Sequence, residues 1–196
     1  MTTVGAAVLA GGRAERLGGA TKPLLLVDGR RVIDRQLEVL HPLFGARVVV
    51  VANDPVPLRD AVGTVEIIPD RVVAGGGPLA GLDAALAYFP PDVSAVVCVA
   101  GDMPFLHPAL LEYLRDAEPA PAIVPRLARG PEPLCARYDR ALAPLVTAAL
   151  AGGQRAMHRL IASLSARFLD EAELRGLDPE LRSFTNLNTP EDLGPR

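Results

Sequence analysis

The chain has 196 residues, of which 49 % are apolar and only 4 % aromatic, and its formal net charge is −3. This length fits a single domain, residues 1–196, built around an aliphatic core. With no basic surplus, no apolar run near the roughly 18 residues of a membrane span and no basic signal-peptide start, we expect a cytoplasmic protein that binds neither nucleic acid nor membranes.

Apolar runs alternate with helical patterns along the chain. In chain order we predict a strand at 4–10, a helix at 31–40, strands at 47–52 and 65–68, a helix at 79–89, a strand at 95–100 and a helix at 108–115. Short strands at 122–124 and 134–137, helices at 141–150 and 154–164, a strand at 166–169 and a helical turn at 190–193 follow, with an exposed loop inside 118–133. Strands that are apolar throughout are typical of a parallel sheet covered on both faces, so the pattern predicts an α/β fold.

Two residue types are scarce in this sequence. There are 19 arginines but one lysine, Lys22, and only three asparagines, Asn53, Asn186 and Asn188. A lysine ammonium acts as a compact point charge against phosphate oxygens, where a planar guanidinium does not always fit. Chance, or selection against labile amides, explains any one of these residues as well as a functional role does. That explanation weakens if the scarce residues converge on one site.

The residues that follow the predicted strands are the candidates for a site, because ligands of such sheets bind beyond the carboxyl ends of the strands. A glycine-rich stretch that ends at Lys22 follows the first strand, Asn53 the second, Asp70 the third and Asp102 the fourth. Glycines let backbone N–H groups approach phosphates closely. Neither GxxxxGK[ST] nor GxGxxG is present, and Arg16 and Lys22 supply two cations of suitable charge for a triphosphate.

Two further features point to the same edge. A carboxylate at Asp102, facing a phosphate-binding loop, suits Mg²⁺, which binds through one or two carboxylates plus substrate phosphates. The alternative is that Asp102 caps the next helix, although His107 lies nearer to its start. The loop GGGPLAG opens a helix and offers backbone groups to a base or a phosphate, unless it is only a flexible connector. Cys98 and Cys135 lack metal-binding spacing and are expected to be buried free thiols.

The stretch LAGGRAERLGGATKPLL resembles the nucleotidyltransferase pattern LAGG-x-x-x-R-[ML]-G-G-x-x-K. Together with GPLAG, the Asp-x-Pro after the fourth strand and FTNLNTPEDL, it makes the chain similar to the molybdenum cofactor guanylyltransferase family from Val4 to Leu193. The resemblance implies a Rossmann-like, three-layer α/β fold with a mostly parallel sheet. It also implies Mg²⁺-dependent transfer of GMP from GTP to the terminal phosphate of molybdopterin, release of pyrophosphate, and transient contact with other molybdenum cofactor proteins.

The resemblance also assigns roles to residues. The residues it places at the nucleotide are Leu9, Ala10, Gly11, Gly12, Lys22, Asn53, Asp70, Gly77, Pro78, Leu79 and Asp102. The implied catalytic residues are Arg16, Lys22 and Asp102, and the implied metal-binding residues are Asp102 and Asn188. The nucleophile is an anionic phosphate, so positioning and charge stabilisation carry the catalysis and no general base is needed.

The chain departs from the family pattern at three positions. Thr21 stands where the family often has Asp, Val51 where some relatives are polar, and Gly101 where Cys is common. One alternative is another nucleotidyltransferase of the same fold, either a molybdopterin cytidylyltransferase or a sugar-phosphate nucleotidyltransferase. A non-catalytic nucleotide-binding regulator is a second alternative, but it would be expected to lack the Asp102 carboxylate.

Overall fold

The structure is a computed structural model that describes residues 3–11, 13–14, 20–71 and 76–187. Its strands are β1 (Thr3–Leu9), β2 (Arg13–Ala14), β3 (Ala20–Thr21), β4 (Leu26–Val27), β5 (Arg30–Arg31), β6 (Val48–Val51), β7 (Glu66–Ile68), β8 (Val93–Ala100), β9 (Ala122–Leu127), β10 (Gly130–Pro131), β11 (Cys135–Asp139) and β12 (Arg167–Leu169). Its α-helices are α1 (Val32–Phe44), α2 (Arg59–Val62), α3 (Gly77–Tyr88), α4 (Pro108–Asp116), α5 (Ala143–Ala151), α6 (Met157–Ala162) and α7 (Glu171–Leu177).

One large sheet organises the fold, in the order β10-β9-β11-β8-β1-β6-β7, with β12 beside β9. The neighbours β7, β6, β1 and β8 are parallel to one another. Strand β11 runs antiparallel to both β8 and β9, and β12 is parallel to β9. The predicted α/β class with a mostly parallel central sheet is therefore confirmed.

Both faces of this sheet are buried at its centre, which explains why strands β1, β6 and β8 are almost entirely apolar. In β1, Ala6 and Val8 belong to the core beneath α1 and α4, whereas Ala7 and Leu9 belong to the core beneath α3. Each of these four side chains is at most 7 % exposed. Alternate residues thus enter two separate cores, and an alternating polar pattern would leave one layer without its apolar contacts.

The two cysteines lie on neighbouring strands but in different cores. Cys98 in β8 faces the α3 side, and Cys135 in β11 faces the α1 side. Both are free and fully buried, and burial raises the pKa of each thiol to about 12. At neutral pH both side chains therefore behave as small apolar groups, as expected from the sequence.

Some elements differ from the predictions. The strand predicted at 122–124 is longer, as β9, so the exposed loop expected inside 118–133 is divided between residues 118–121 and a turn at Ala128 and Arg129. Helix α7 and the hairpin of β4 with β5 were not predicted. The predicted helical turn at 190–193 lies outside the described residues. Within the part of the chain that the structure describes, no helix is both long and apolar enough to cross a membrane.

Candidate nucleotide-binding site

The register of the four parallel strands brings their carboxyl ends to one level. Leu9 at the end of β1 pairs with Val51 of β6 on one side and with Ala100 of β8 on the other, and Val51 pairs with Ile68 of β7. These last residues form a single row across the sheet. The segments that follow them must therefore emerge side by side, as the topology rule for parallel sheets requires.

A cavity of about 490 Å³ opens above this row. It is lined by Leu9, Ala10, Gly11, Lys22, Pro23, Val51, Asn53, Asp70, Gly76, Gly77, Pro78, Gly81, Ala100, Gly101, Asp102 and Leu134. Its walls are mainly backbone and small side chains, with charged groups at two places. That composition suits a ligand held by backbone contacts and a few polar groups.

An ion pair between Lys22 and Asp102 marks one end of the cavity. Lys22 Nζ lies 2.7 Å from Asp102 Oδ2, and the two side chains are 24 % and 15 % exposed. Lys22 begins a short 3₁₀ turn directly after β3, while Asp102 follows β8, and the backbone carbonyl of Asp102 accepts a hydrogen bond from Leu187 N–H. Asp102 is not the cap of α4, because that helix starts at Pro108 with His107 at the cap position.

Gly101 allows this end of the cavity to be tightly built. A Cβ at this position would lie 2.8 Å from Pro23 Cγ and 3.1 Å from Ala10 Cα. The N–H of Gly101 also donates to the carbonyl of Leu9 at 3.0 Å. The missing side chain thus lets the Lys22 turn and the end of β1 pack directly on the backbone beside Asp102.

We expect Gly101→Ala to lower the free energy of unfolding by about 1–3 kcal/mol, the usual cost of inserting a methyl group into a filled space. The matched control is Gly11→Ala, since a Cβ there would meet no atom of the described residues within 4 Å. That change should stay within about 0.5 kcal/mol of the unmodified chain. Chemical denaturation of both variants measures the difference, and equal stabilities would contradict the close packing of Pro23 on Gly101.

Asn53 and Asp70 form a reciprocal pair at the opposite end of the cavity. Asn53 Nδ2 donates to Asp70 Oδ2 at 3.0 Å, and Asp70 N–H donates to Asn53 Oδ1 at 2.9 Å. Burial raises the pKa of the Asp70 carboxyl, and the hydrogen bond from Asn53 offsets part of that effect. The pair joins the segments that follow β6 and β7, and both residues line the cavity.

The first turn of α3 forms a third wall. Gly77 has φ +60°, a left-handed backbone conformation that favours glycine, and Pro78 follows it in the first turn. Gly81 packs against the Leu9 side chain, where a Cβ would lie 3.2 Å from Leu9 Cδ2. This close contact keeps the start of α3 against the end of β1.

Most of the residues named from the sequence converge on this cavity. Those that line it are Leu9, Ala10, Gly11, Lys22, Asn53, Asp70, Gly77, Pro78 and Asp102. Leu79 does not line it, because its side chain points toward the sheet and is fully buried in the core. Gly12, Arg16 and Asn188 lie outside the described residues.

Two residues of the cavity carried no functional signal in the sequence. The sequence gives no direct sign that Pro23 lines a site. Its position directly after the only lysine indicates a rigid turn. Leu134 reaches the cavity because its carbonyl accepts a hydrogen bond from Ala100 N–H, at the start of the antiparallel strand β11. No local pattern indicates that long-range pairing.

The fold and the cavity are those of an α/β nucleotide-binding protein, with a cation and a carboxylate beside a glycine-rich strand end. The model of the MobA-like NTP transferase domain matches residues 6–168. The molybdenum cofactor guanylyltransferase of Desulfosudis oleivorans is 31 % identical, with 98 % of this chain and 94 % of the relative covered. A probable molybdenum cofactor guanylyltransferase of Methanothermobacter thermautotrophicus is 36 % identical, with 95 % of each chain covered.

Among solved structures, molybdopterin-guanine dinucleotide biosynthesis protein A from Archaeoglobus fulgidus superposes with a TM-score of 0.81. It is 33 % identical, and the match covers 96 % of this chain and 94 % of that one. The chain belongs to the MobA-like NTP transferase family. The resemblance to molybdenum cofactor guanylyltransferases inferred from the sequence motifs, and with it the nucleotidyltransferase class, is confirmed by these matches.

Proposed function

We propose that this protein transfers GMP from GTP to the terminal phosphate of molybdopterin and releases pyrophosphate. The observation that carries the proposal is the pairing of the single lysine with Asp102, 2.7 Å apart, at the strand-end cavity. A cation for phosphates and a carboxylate for a metal are the two charged groups that nucleotidyl transfer needs most. The names of the relatives support guanine as the base and molybdopterin as the acceptor.

The charges also suggest how the nucleotide lies. Asp102, with Lys22 paired to it, lies just past the end of β8, and Asp70 lies just past the end of β7, which is three strands away in the sheet. Three strand spacings are about 14 Å, close to the length of a nucleoside triphosphate. Lys22 is the cation among the described residues that line the cavity, and a cation attracts phosphate, so we place the triphosphate at the Lys22 end and the nucleoside at the Asn53 and Asp70 end.

The donor set at Asp102 fits Mg²⁺. Its carboxylate offers hard oxygen ligands, and the described residues hold no group of three or more His, Cys, Asp or Glu side chains that would form an all-protein metal cage. Mg²⁺ prefers such open sites, where one or two carboxylates are completed by phosphates and water. Asp102 would hold the ion, with Asn188 as a proposed second contact. When bound, Mg²⁺ would neutralise charge on the phosphate oxygens.

The protein's own part in the reaction is to position and to stabilise charge. An oxygen of the pterin phosphate attacks the α-phosphorus of GTP, and the bond from that phosphorus to the bridging oxygen of pyrophosphate breaks. The attacking oxygen is already anionic, so no side chain has to accept a proton. The Lys22 ammonium, on its flexible stem, turns from Asp102 to the phosphates and stabilises the departing pyrophosphate together with Arg16.

GTP should raise the melting temperature more than ATP, CTP or UTP does, in the presence of Mg²⁺. The reason is that guanine carries two neighbouring N–H donor groups, which match the carboxylate acceptor of Asp70 at the nucleoside end. Thermal shift with each nucleotide measures the preference. Equal shifts from GTP and CTP would favour a cytidylyltransferase on the same fold instead.

The direct test supplies each nucleotide with Mg²⁺ and molybdopterin and follows the dinucleotide product by mass spectrometry. A guanine dinucleotide and an equal amount of pyrophosphate are expected. Turnover only with CTP, or only with a sugar phosphate as acceptor, would overturn the proposal.

The same proposal includes a cytoplasmic location, one domain over residues 1–196 and transient contacts with proteins that supply or receive the pterin. The two buried free thiols support a reducing compartment.

A further inference from the structure

Asp83 is a buried carboxylate in a helix of mostly small and aliphatic residues. It lies in the middle of α3, and its side chain is only 2 % exposed. Burial of an ionised carboxylate is costly unless it is paired and hydrogen-bonded. The contacts of its two carboxylate oxygen atoms therefore decide how this cost is offset.

The two oxygen atoms of Asp83 contact two different segments. Oδ1 accepts a hydrogen bond from Thr147 Oγ of α5 at 2.5 Å. Oδ2 lies 3.4 Å from an Nη atom of Arg71, whose side chain is 51 % exposed. One buried carboxylate therefore links α3 to α5 and also to the segment that follows β7.

These contacts meet the candidate site at two of its walls. Arg71 comes directly after Asp70, whose carboxylate lines the nucleoside end of the cavity. Asp83 belongs to the helix whose first turn contributes Gly77 and Pro78 to the same cavity. The Arg71–Asp83 ion pair thus ties the Asp70 wall to the α3 wall, from behind the cavity and without lining it.

We propose that Asp83 and Arg71 are positioning residues that set the separation between these two walls and hence the fit of the nucleoside. The inference rests on the proposed function, because it assumes that a nucleoside occupies this end. Backbone and small side chains form most of the walls, so few long side chains are present to adapt to a shift. Sites of this kind depend on supporting contacts that hold the binding groups within a fraction of an ångström.

The test compares Asp83→Asn with the unmodified chain. Asparagine keeps the size and an acceptor for Thr147, removes the ion pair, and leaves no unpaired charge in the core. We expect the KM for GTP, and the Kd measured by calorimetry, to rise about tenfold while kcat stays within about twofold, since a misplacement well under 1 Å affects binding at this end and not the reacting phosphates. Arg71→Ala should raise KM similarly, and the double variant should be no worse than either single one.

A matched control is Arg175→Ala. It breaks the ion pair with Glu171 in α7, and Arg175 is as exposed as Arg71, at 54 % against 51 %. Its KM and kcat should equal those of the unmodified chain. The inference is overturned if Asp83→Asn and Arg71→Ala change only the melting temperature, or if their effects on KM simply add. An unmodified chain that binds no nucleotide would overturn the proposed function, whereas normal GTP transfer by the unmodified chain with unchanged KM in both variants would overturn this inference alone.

Discussion

Asp102→Ala is expected to slow GMP transfer about a thousandfold, because metal-mediated stabilisation of phosphate charge contributes several kcal/mol and each 1.36 kcal/mol corresponds to a factor of ten. Asp102 comes two residues after the end of β8, and among the described residues it is one of two carboxylates that line the cavity, the other being Asp70 at the far end. Its loss leaves the phosphate end with the cation of Lys22 and no described acidic ligand for Mg²⁺. The chain should stay folded, since Asp102 is partly exposed.

Initial rates at several Mg²⁺ concentrations, together with the melting temperature, measure this effect. Asp102→Asn is the informative companion, because it keeps the shape of the side chain and removes the charge. Asp116→Ala serves as a control for the loss of an ion-paired surface carboxylate, because Asp116 pairs with Arg115 at the end of α4. Turnover of Asp102→Ala at the rate of the unmodified chain, at moderate Mg²⁺, would refute the metal-binding role.

Lys22→Arg is expected to lose about a hundredfold in rate and to approach Lys22→Ala, because a misplacement of about 1 Å at a reacting group costs on that order. Lys22 Nζ is already at hydrogen-bond distance from Asp102, and the following Pro23 packs on the backbone of Gly101. The turn beneath Lys22 therefore has no room to withdraw for a longer, planar guanidinium. The chain uses arginine at its nineteen other basic positions, so the need for a positive charge does not by itself explain why position 22 is a lysine.

Single-turnover rates with saturating GTP separate this defect from weaker binding, and a melting temperature within a few degrees of the unmodified chain locates it in the site. Arg175→Lys is the reverse exchange at an exposed helix position and should change neither quantity. If Lys22→Arg turned over at nearly the normal rate, lysine at this position would be a generic cation, and its scarcity in the sequence would carry no functional meaning.

The sheet edge could be predicted because the signals for it are local. Three of the four parallel strands, β1, β6 and β8, are almost entirely apolar, and β7 has two isoleucines after Glu66. In the sequence, a polar residue or a glycine comes within two positions of the end of each strand. Lys22 and Asp102 are 80 positions apart, yet both follow strands of the predicted sheet, so their proximity followed from topology. The mostly parallel arrangement followed from the same runs, since a strand buried on both faces has no polar alternation.

Other parts depend on long-range packing and had no such signal. The Asp83 contacts require the crossing of α3 and α5, and the cavity contribution of Leu134 requires β11 to insert between β8 and β9.

Helix α7 is different, because its start carries a local signal. Asp170 and Glu173 form a capping box, in which each side chain accepts a hydrogen bond from the other residue's N–H. That spacing is recognisable in the sequence as an acidic residue followed three positions later by Glu.

Strand β7 lies at the end of the sheet, and among the strands that the structure describes it pairs with β6 alone. In the proposed orientation the nucleoside rests on β6 and β7, whereas the triphosphate rests on β1 and β8. Edge segments tolerate sequence change better than central ones, because fewer neighbours constrain them. Substitutions near the edge strand β7 could therefore change the base specificity of such an enzyme during evolution. The phosphate-binding residues at the centre of the sheet, and with them the reaction, would stay the same.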